Sequence, residues 1–270
     1  MNRRNLISGT GLAAATLVAA AAPAVAQSAG GTTTLDRILK EKVIRISCDV
    51  SSPPFGVIGA DGKPDGVEVA MCKQLAKDMG VELDLVQVVS TQRIPSLQAG
   101  RSDVTLSSIS ITFDRAKAVA FCSPSGALSI VVFGPKATQI TKPADMAGKR
   151  IGITRATLEE ATVPKIAPPG TKIVWFDDIS VTIQSLLAGQ VDAIAMTEFA
   201  MRTVIDRNPQ AGIEMKLLVV RAFYAPVVRH ADVELRQWIN TWVFLNKQNG
   251  VIADIYKKYT GIDLPELPVI

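Results

Sequence analysis

The chain has 270 residues, with 29 Lys and Arg against 25 Asp and Glu, so its formal net charge is +4. Two of the basic residues, Arg3 and Arg4, lie in an N-terminal segment that has the pattern of a cleavable signal, and without them the net charge falls to +2. A chain so close to neutral lacks the basic excess of nucleic-acid-binding proteins. We therefore expect no nucleic-acid partner.

Residues 1–26 have the order of a secretory signal peptide. The two arginines precede an apolar run at 11–22, and the small residues A-V-A follow at 24–26. The run is shorter than the roughly 20 residues of a spanning helix, although a retained membrane anchor is the alternative. The opening N-R-R-N-L-I resembles a twin-arginine signal. The sequence predicts cleavage before Gln27 and a soluble periplasmic product of about 244 residues, enough for one large domain or two lobes.

The mature part contains Cys48, Cys72 and Cys122. An odd number cannot pair completely, and the spacing fits no zinc site. Buried free thiols are the main expectation, and one disulfide is the alternative in an oxidising compartment. A catalytic cysteine is disfavoured because the only histidine, His230, lies in a polar stretch. We expect neither a metal nor a cofactor.

Strands and helices alternate after the signal. Apolar strands are predicted at 43–47, 83–89 and 104–106, an amphipathic helix closed by a glycine at 67–80, and a short helix at 93–100. This alternation predicts a mainly parallel sheet with helices on its faces.

Residues 103–115 read D-V-T-L-S-S-I-S-I-T-F-D-R. Strand-forming residues lead into a serine-rich turn, and Arg115 follows five residues after Ser110. Hydroxyls can donate and accept, and the planar guanidinium of an arginine matches a carboxylate. The segment favours a site for a small zwitterion. The alternative is a strand that leads into a capped helix, with Ser110 or Thr112 as the cap and Arg115 in solvent.

A weak internal repeat suggests two lobes. P-S-L-Q-A-G-R-S-D-V at 95–104 recurs as Q-S-L-L-A-G-Q-V-D-A at 184–193. Each copy predicts a helix that ends at a glycine and is followed, after a short polar link, by a strand. G-K-R-I-G-I-T at 148–154 then opens the second lobe, after a linker at 135–143. A duplicated domain without a cleft is the alternative.

Several other residues have ordinary structural interpretations. Glu159 and Glu160 suit the solvated first turn of a helix, whose dipole favours acids. Trp175 and Phe176 end a strand and are candidates to lie nearer the cleft. Another aromatic set has near-helical spacing and is expected in the core: Trp238, Trp242, Phe244, Tyr256 and Tyr259.

From residue 35 to residue 268 the chain resembles the solute-binding proteins of polar amino-acid ABC importers, bacterial solute-binding protein family 3. Seven segments carry the resemblance in order: D-V-S-S-P-P-F at 49–55, D-G-V-E-V at 65–69, R-I-P-S-L-Q-A-G at 93–100, S-S-I-S-I-T-F-D-R at 107–115, G-K-R-I-G-I at 148–153, L-L-A-G-Q-V-D-A at 186–193 and N-G-V-I-A-D-I-Y-K-K-Y-T-G at 249–261.

The resemblance implies an α/β, type II periplasmic-binding-protein fold, in which two α/β lobes are joined by two hinge strands and the ligand lies in the cleft. Lobe 1 would comprise 35–132 and 221–270, and lobe 2 would comprise 133–220. Closure around the ligand is the expected two-state element.

The resemblance also implies ligand-binding residues. The arginine at Arg115 binds the ligand α-carboxylate, and the residues at Ser108 and Ser110 bind its carboxylate and ammonium, partly through backbone groups. The hydroxyl of Ser107, in the same turn, is a further candidate for ligand binding. Asp49 would face a polar or cationic end of the ligand, or else serve in the turn that follows it. Arg93 would approach the ligand side chain, or else lie in solvent in a first helical turn.

The chain departs from the family pattern at three places. Ser52 stands where an aromatic residue usually covers the ligand. Of the usual G-[ST]-T in lobe 2, only Thr157 keeps a hydroxyl, between Ala156 and Leu158. The acid that meets the α-ammonium falls at Thr197, and Glu198 one step along is a candidate to replace it. The departures favour an atypical amino acid, or a carboxylate without an α-ammonium, as the ligand.

The resemblance implies a receptor that is not an enzyme. It would be a monomer that captures a small amino acid or related carboxylate and delivers it to the membrane permease of an ABC importer. One alternative is a cyclohexadienyl dehydratase-like enzyme, whose relatives also carry L-D-R-I-L as at 35–39, although their catalytic acid corresponds to Ala200 here. Another is a ligand-sensing domain for a membrane receptor.

Overall fold

The computed structural model describes residues 31–268. The predicted signal peptide at 1–26, with its twin-arginine motif, lies outside this range. Within the described range, each helix is too short or too polar to cross a membrane.

Helices occur throughout both halves of the chain. They are α1 (Thr34–Glu41), α2 (Val67–Met79), α3 (Arg93–Gln98), α4 (Phe113–Ala116), α5 (Leu158–Ile166), α6 (Ile179–Leu187), α7 (Glu198–Arg207), α8 (Val233–Gln248) and α9 (Val251–Thr260). The predicted helix at 67–80 is confirmed as α2, which ends where Gly80 adopts a positive φ of 70° and donates its N–H to the carbonyl of Ala76.

The strands form two larger sheets and one small hairpin. They are β1 (Val43–Asp49), β2 (Val57–Ile58), β3 (Pro64–Asp65), β4 (Glu82–Val88), β5 (Val104–Thr105), β6 (Ala120–Phe121), β7 (Gly126–Pro135), β8 (Arg150–Thr154), β9 (Lys172–Phe176), β10 (Ala193–Thr197), β11 (Ile213–Tyr224) and β12 (Val227–Val228). The first sheet has the order β4-β1-β5-β12-β6, the second has the order β11-β7-β10-β8-β9, and β2 pairs with β3.

The first sheet forms the centre of one lobe. Strand β1 pairs in parallel with β4 and β5. Ile44 and Ile46 of β1 are fully buried in a core that includes Leu75 of α2 and Trp242 of α8. The C-terminal helices therefore return to the lobe that the N-terminal strands begin.

The second sheet is buried on both faces. Val131 of β7 and Ile194 of β10 pack in one hydrophobic cluster, whereas their neighbours Val132 and Ala195 pack in another. Successive side chains of a strand point to opposite faces. This double burial explains the almost uninterrupted apolar sequence of both strands.

Two long strands, β7 and β11, connect the lobes. They pair antiparallel with each other from Gly126 and Tyr224 to Pro135 and Ile213. The predicted lobe boundaries after residues 132 and 220 fall inside these strands and stay predictions. At the first-lobe end, Ser110 forms an isolated bridge with Tyr224.

The prediction of a mainly parallel sheet was only partly correct. Pairs β1/β4, β1/β5, β8/β9 and β8/β10 are parallel. Pairs that involve β7, β11 or β12 are antiparallel. The reason is topological, because the chain crosses to the second lobe and returns, and the returning strands run against their neighbours.

The two copies of the internal repeat form equivalent units. Gly100 and Gly189 both have a positive φ, 70° and 68°, after α3 and α6. In the first copy, Asp103 accepts from the backbone N–H and the guanidinium of Arg45 at the start of β1. In the second, Asp192 accepts from the same groups of Arg150 in β8. The repeat therefore joins a helix to a strand through one recurring ion pair.

Other structural predictions have mixed outcomes. All three cysteines are free and buried, as expected. Trp242 and Tyr256 belong to the core, but Phe244 is 61% exposed, so its assignment to the core was wrong. Helix α8 presents Phe244 away from the face that packs on the first sheet.

Candidate functional site

A small cavity of about 30 Å³ lies between the two lobes. Charged and polar side chains from both lobes line it: Ser52, Arg93, Ser108, Ser110, Arg115, Thr157, Glu159 and Thr197. Aliphatic residues complete the wall: Leu128, Ile130, Leu158 and Ile179. The cavity therefore combines a charged part with an apolar part, as sites for small organic ligands do.

The serine-rich turn of the first lobe forms one side of the cavity. Ser108 has a positive φ of 44°, a conformation that is uncommon for residues other than glycine. Thr112 caps the short helix α4 by accepting the N–H of Arg115 at 3.2 Å. The alternative of a capped helix was thus correct about the cap. It was wrong about Arg115, whose guanidinium turns back towards the serines rather than into solvent.

Two arginines of the first lobe converge on one carbonyl of the second. Nη2 of Arg93 and Nη2 of Arg115 each donate to the oxygen of Ala156 at 2.8 Å. Arg115 also donates Nη1 to the carbonyl of Ser110 at 3.0 Å. Ala156 itself has a positive φ of 58°. The two lobes are therefore in contact across the cavity through a shared acceptor.

Arg93 is held more completely than Arg115. Besides Ala156, it donates Nε to the carbonyl of Ser90 and Nη1 to that of Ser107, at 3.1 and 3.0 Å. Only 5% of the surface of Arg93 is exposed. The alternative expectation that Arg93 lies in solvent was therefore wrong. Most of its donors are already used by backbone carbonyls.

Both guanidinium groups lie in a low-dielectric environment. Burial lowers the pKa of Arg93, while the charges of Asp49 and Glu159 oppose that change. Burial and the neighbouring charge of Arg93 lower the pKa of Arg115 to about 10, so it is still protonated at neutral pH. Two cations that repel each other at one cavity wall favour an anionic group between them.

The second lobe contributes the start of α5. Thr157 is the residue before the helix, and its hydroxyl donates to the carbonyl of Thr154. Glu159, expected in solvent, is instead 5% exposed and lines the cavity. Burial raises its pKa, while its own backbone N–H and the charges of both arginines act in the opposite direction. Sequence patterning could not distinguish Glu159 from Glu160, because both suit a first helical turn.

Thr197 and Glu198 lie on different sides of the hinge. Thr197 lines the cavity, and its hydroxyl accepts the N–H of Ala200 as the cap of α7. Glu198 lines a separate groove, formed with Arg221, Tyr256 and the C-terminal segment. The structure therefore does not bring Glu198 to the cavity that contains the arginines.

Asp49 and Ser107 do not line the cavity, and they hydrogen-bond to each other behind its wall. Asp49 is 2% exposed, and its carboxylate accepts from the N–H and hydroxyl of Ser51 and from the hydroxyl of Ser90. It does not line the cavity and has the turn role that was its alternative interpretation. The hydroxyl of Ser107 accepts the N–H of Asp49 at 2.9 Å.

The end of β9 contributes no lining residue to this cavity. Trp175 lies under the guanidinium of Arg155, which is 5.3 Å from its ring centroid. Phe176 packs with Val174 against the core of the second lobe. Among residues 31–268, no group of three or more His, Cys, Asp or Glu side chains is arranged to hold a metal ion.

Comparison with known proteins identifies the family. Residues 44–262 match the model of the bacterial extracellular solute-binding proteins, family 3. ABC transporter arginine-binding protein 1 of Escherichia coli K12 is 30% identical over 216 residues, which cover 78% of this chain and 88% of that protein. L-cystine-binding protein TcyJ of E. coli K12 is 25% identical over 233 residues, or 85% and 87% of the two chains.

A solved structure agrees with this assignment. The ancestral amino acid-binding protein AncCDT-1, a precursor of cyclohexadienyl dehydratase, has a TM-score of 0.75 and 25% identity, with 84% of this chain and 99% of that chain covered. The predicted type II fold of two α/β lobes is thereby confirmed. The chain belongs to the family 3 bacterial extracellular solute-binding proteins.

Proposed function

We propose that this protein is a periplasmic receptor that captures a small α-amino acid with an uncharged side chain and delivers it to an ABC importer. The observation that carries the proposal is the meeting of Arg115, Ser110 and Glu159 at one cavity between the lobes. The relatives named above, which bind arginine or cystine, support the class of ligand.

The cationic wall suits the ligand carboxylate. Arg115 uses two of its five N–H donors on the carbonyls of Ser110 and Ala156, and the others can meet an anion. An arginine–carboxylate pair in a cavity closed from water is strong and directional. Removal of one partner leaves a buried charge unpaired. Arg115→Ala should therefore weaken binding by about 2 kcal/mol or more, about 30-fold.

Glu159 suits the ligand ammonium. It is the carboxylate among the residues that line the cavity, since Asp49 is occupied by Ser51 and Ser90. The usual acid at the end of β10 is Thr197 here, so Glu159 replaces its charge from α5. With that carboxylate used, no acid of the lining is left for a cationic side chain.

The remaining surface suits an uncharged side chain. Arg93 donates to three backbone carbonyls, so it is poorly placed to bind a second ligand carboxylate. Four aliphatic residues, Leu128, Ile130, Leu158 and Ile179, line the rest. An aliphatic or sulfur-containing side chain would gain from this contact, at roughly 25 cal/mol per Å² buried.

A thermal-shift screen of the purified protein tests the proposal, because a ligand that binds only the folded state raises the melting temperature. The panel contains the twenty amino acids, dicarboxylates and the keto acids that match the aliphatic amino acids. Neutral amino acids should raise the melting temperature most. Glu159→Gln should reduce the preference for an amino acid over its keto acid. Equal binding of the two by the wild type would contradict the role of Glu159.

Delivery to a permease needs a separate test. We propose that the closed monomer docks on the membrane component of an importer and is exported through the signal at 1–26. Uptake of the identified amino acid by cells should fall when the gene is deleted. Unchanged uptake, together with a response lost downstream of a membrane receptor, would instead favour the sensor alternative.

The enzyme alternative is disfavoured by the second lobe. Ala200, at the position of the dehydratase acid, is fully buried in an apolar cluster with Met196 and Val204. A side chain in that place has no access to the cavity. We expect the protein to release no phenylpyruvate from prephenate, and its formation would overturn this view.

A further inference from the structure

A buried carboxylate lies behind the serine-rich turn. Glu68, in the first turn of α2, is 2% exposed. Its Oε2 accepts the backbone N–H of Ser108 at 3.1 Å. Its Oε1 is buried and finds no hydrogen-bond partner within residues 31–268. Glu68 does not line the cavity, and its hydrogen bond to Ser108 connects it to the turn that does.

Ser108 needs such support. Its φ of 44° is unfavourable for a residue with a side chain. Its neighbours fix the rest of the turn, since Ser107 accepts from Arg93 and Ser110 bridges to Tyr224. The N–H of Ser108 points to Glu68, and without that acceptor it would be unpaired in a mostly buried place.

Within residues 31–268, the charged or titratable groups that interact with Glu68 are Arg93 from α3, Cys48 from β1 and Tyr224 from β11. The hydroxyl of Tyr224 is also buried without a partner in the described chain. Burial raises the pKa of Glu68 to about 7, although the N–H of Ser108 and the charge of Arg93 lower it. The group therefore changes its ionisation near neutral pH.

We propose that Glu68 is a positioning residue whose ionised form holds Ser108 in its left-handed conformation and so keeps the binding turn competent. On protonation the proton goes onto Oε1, the oxygen without a partner. Oε2 then becomes a neutral acceptor, and its bond to Ser108 weakens because charge-assisted hydrogen bonds are the stronger ones. The consequence for ligand affinity rests on the proposed function, whereas the behaviour of the turn does not.

The turn itself can be tested without a ligand. The amide signal of Ser108 is followed by ¹H–¹⁵N NMR between pH 5.5 and 8.5 in the wild type, Glu68→Gln and Glu82→Gln. A glutamine in place of Glu68 keeps the shape and an acceptor but cannot ionise, and Glu82 is an exposed glutamate of the same lobe. The Ser108 signal should move with one transition near pH 7 in the wild type and in the Glu82 variant, and should not move in the Glu68 variant. An unmoved wild-type signal, or the same transition in Glu68→Gln, would overturn the proposal.

Affinity gives the second readout. The probe is whichever of the twenty amino acids gives the largest thermal shift, titrated by calorimetry at pH 6 and pH 8. Its dissociation constant should be at least threefold higher at pH 6 in the wild type, and constant in Glu68→Gln. Equal pH dependence in both proteins would contradict the inference. If no amino acid binds at either pH, the proposed function fails, and the NMR result decides about Glu68.

Discussion

Arg93 offers the sharpest test of how the two lobes are held. Its guanidinium donates to the carbonyls of Ser90 and Ser107 in the first lobe and of Ala156 in the second, at 2.8–3.1 Å. Methionine has a similar length and no donor. Arg93→Met therefore removes all three hydrogen bonds while largely preserving the packing of a side chain that is 5% exposed.

The expected loss of stability follows from these contacts. Hydrogen bonds to charged groups contribute about 1.5–3 kcal/mol each, and the variant leaves three backbone carbonyls without this donor. The variant also no longer buries a guanidinium, and the lowered pKa of Arg93 shows that this burial has a cost. Three such bonds would together contribute about 4.5–9 kcal/mol. Because the variant also avoids the cost of burying a guanidinium, we expect the free energy of unfolding to fall by about 3–5 kcal/mol. This is a large part of the 5–15 kcal/mol of a typical domain.

Urea unfolding at pH 7.5, followed by circular dichroism, gives the free energy of unfolding. Arg101→Met is the matched control, because Arg101 is exposed and its side chain makes no hydrogen bond within the described residues. The control should stay within about 0.5 kcal/mol of the wild type. Arg93→Lys should lie between the two, since one ammonium cannot reach three separated acceptors. A loss below about 1 kcal/mol in Arg93→Met would refute the reasoning.

The two copies of the repeat should differ in their contribution to stability. Asp103 is fully buried, so Asp103→Asn should lower the free energy of unfolding by about 3 kcal/mol. Asp192 has 35% of its side chain exposed, so Asp192→Asn should lower it by about 1 kcal/mol or less. Urea unfolding midpoints compare the two variants, and equal losses would contradict this argument. Burial opposes ionisation of Asp103, but hydrogen bonds from Arg45 and Arg37 prevail and lower its pKa. Its contribution should therefore be present above the ordinary carboxyl range and be lost as the pH falls below about 4. At the hinge, a Cβ on Gly126 would overlap the ring of Tyr224. Gly126→Ala should thus lower stability by about 1–3 kcal/mol. Tyr224→Phe should restore little of this loss, because the overlapping ring carbons Cζ and Cε1 remain. An unchanged melting temperature in Gly126→Ala would contradict this argument.

Much of the local structure could be read from the sequence. The apolar spacing of 67–80 and its closing glycine predicted α2, and the recurrence of L-x-A-G-x-x-D predicted two similar units. These features depend on near neighbours in the chain, through helical periodicity and the backbone freedom of glycine. The motifs around Ser108, Ser110 and Arg115 likewise identified the segment that lines the cavity.

Long-range contacts decided the rest. Glu159 and Glu160 are adjacent and chemically alike, yet only Glu159 lines the cavity, whereas Glu160 accepts the backbone N–H of Ala156. Asp49 has a carboxylate suited to a ligand, but Ser51 and Ser90 occupy it.

Thr197 and Glu198 also show that the sequence alone does not predict which opening a side chain lines. They are consecutive residues at the end of β10, and they line different openings on the two sides of the hinge. The chain itself thus determined its family, its two-lobe repeat and the arginine of its site. Only the tertiary structure decided which acids reach that site, because the direction of a side chain depends on how distant helices and strands pack around it.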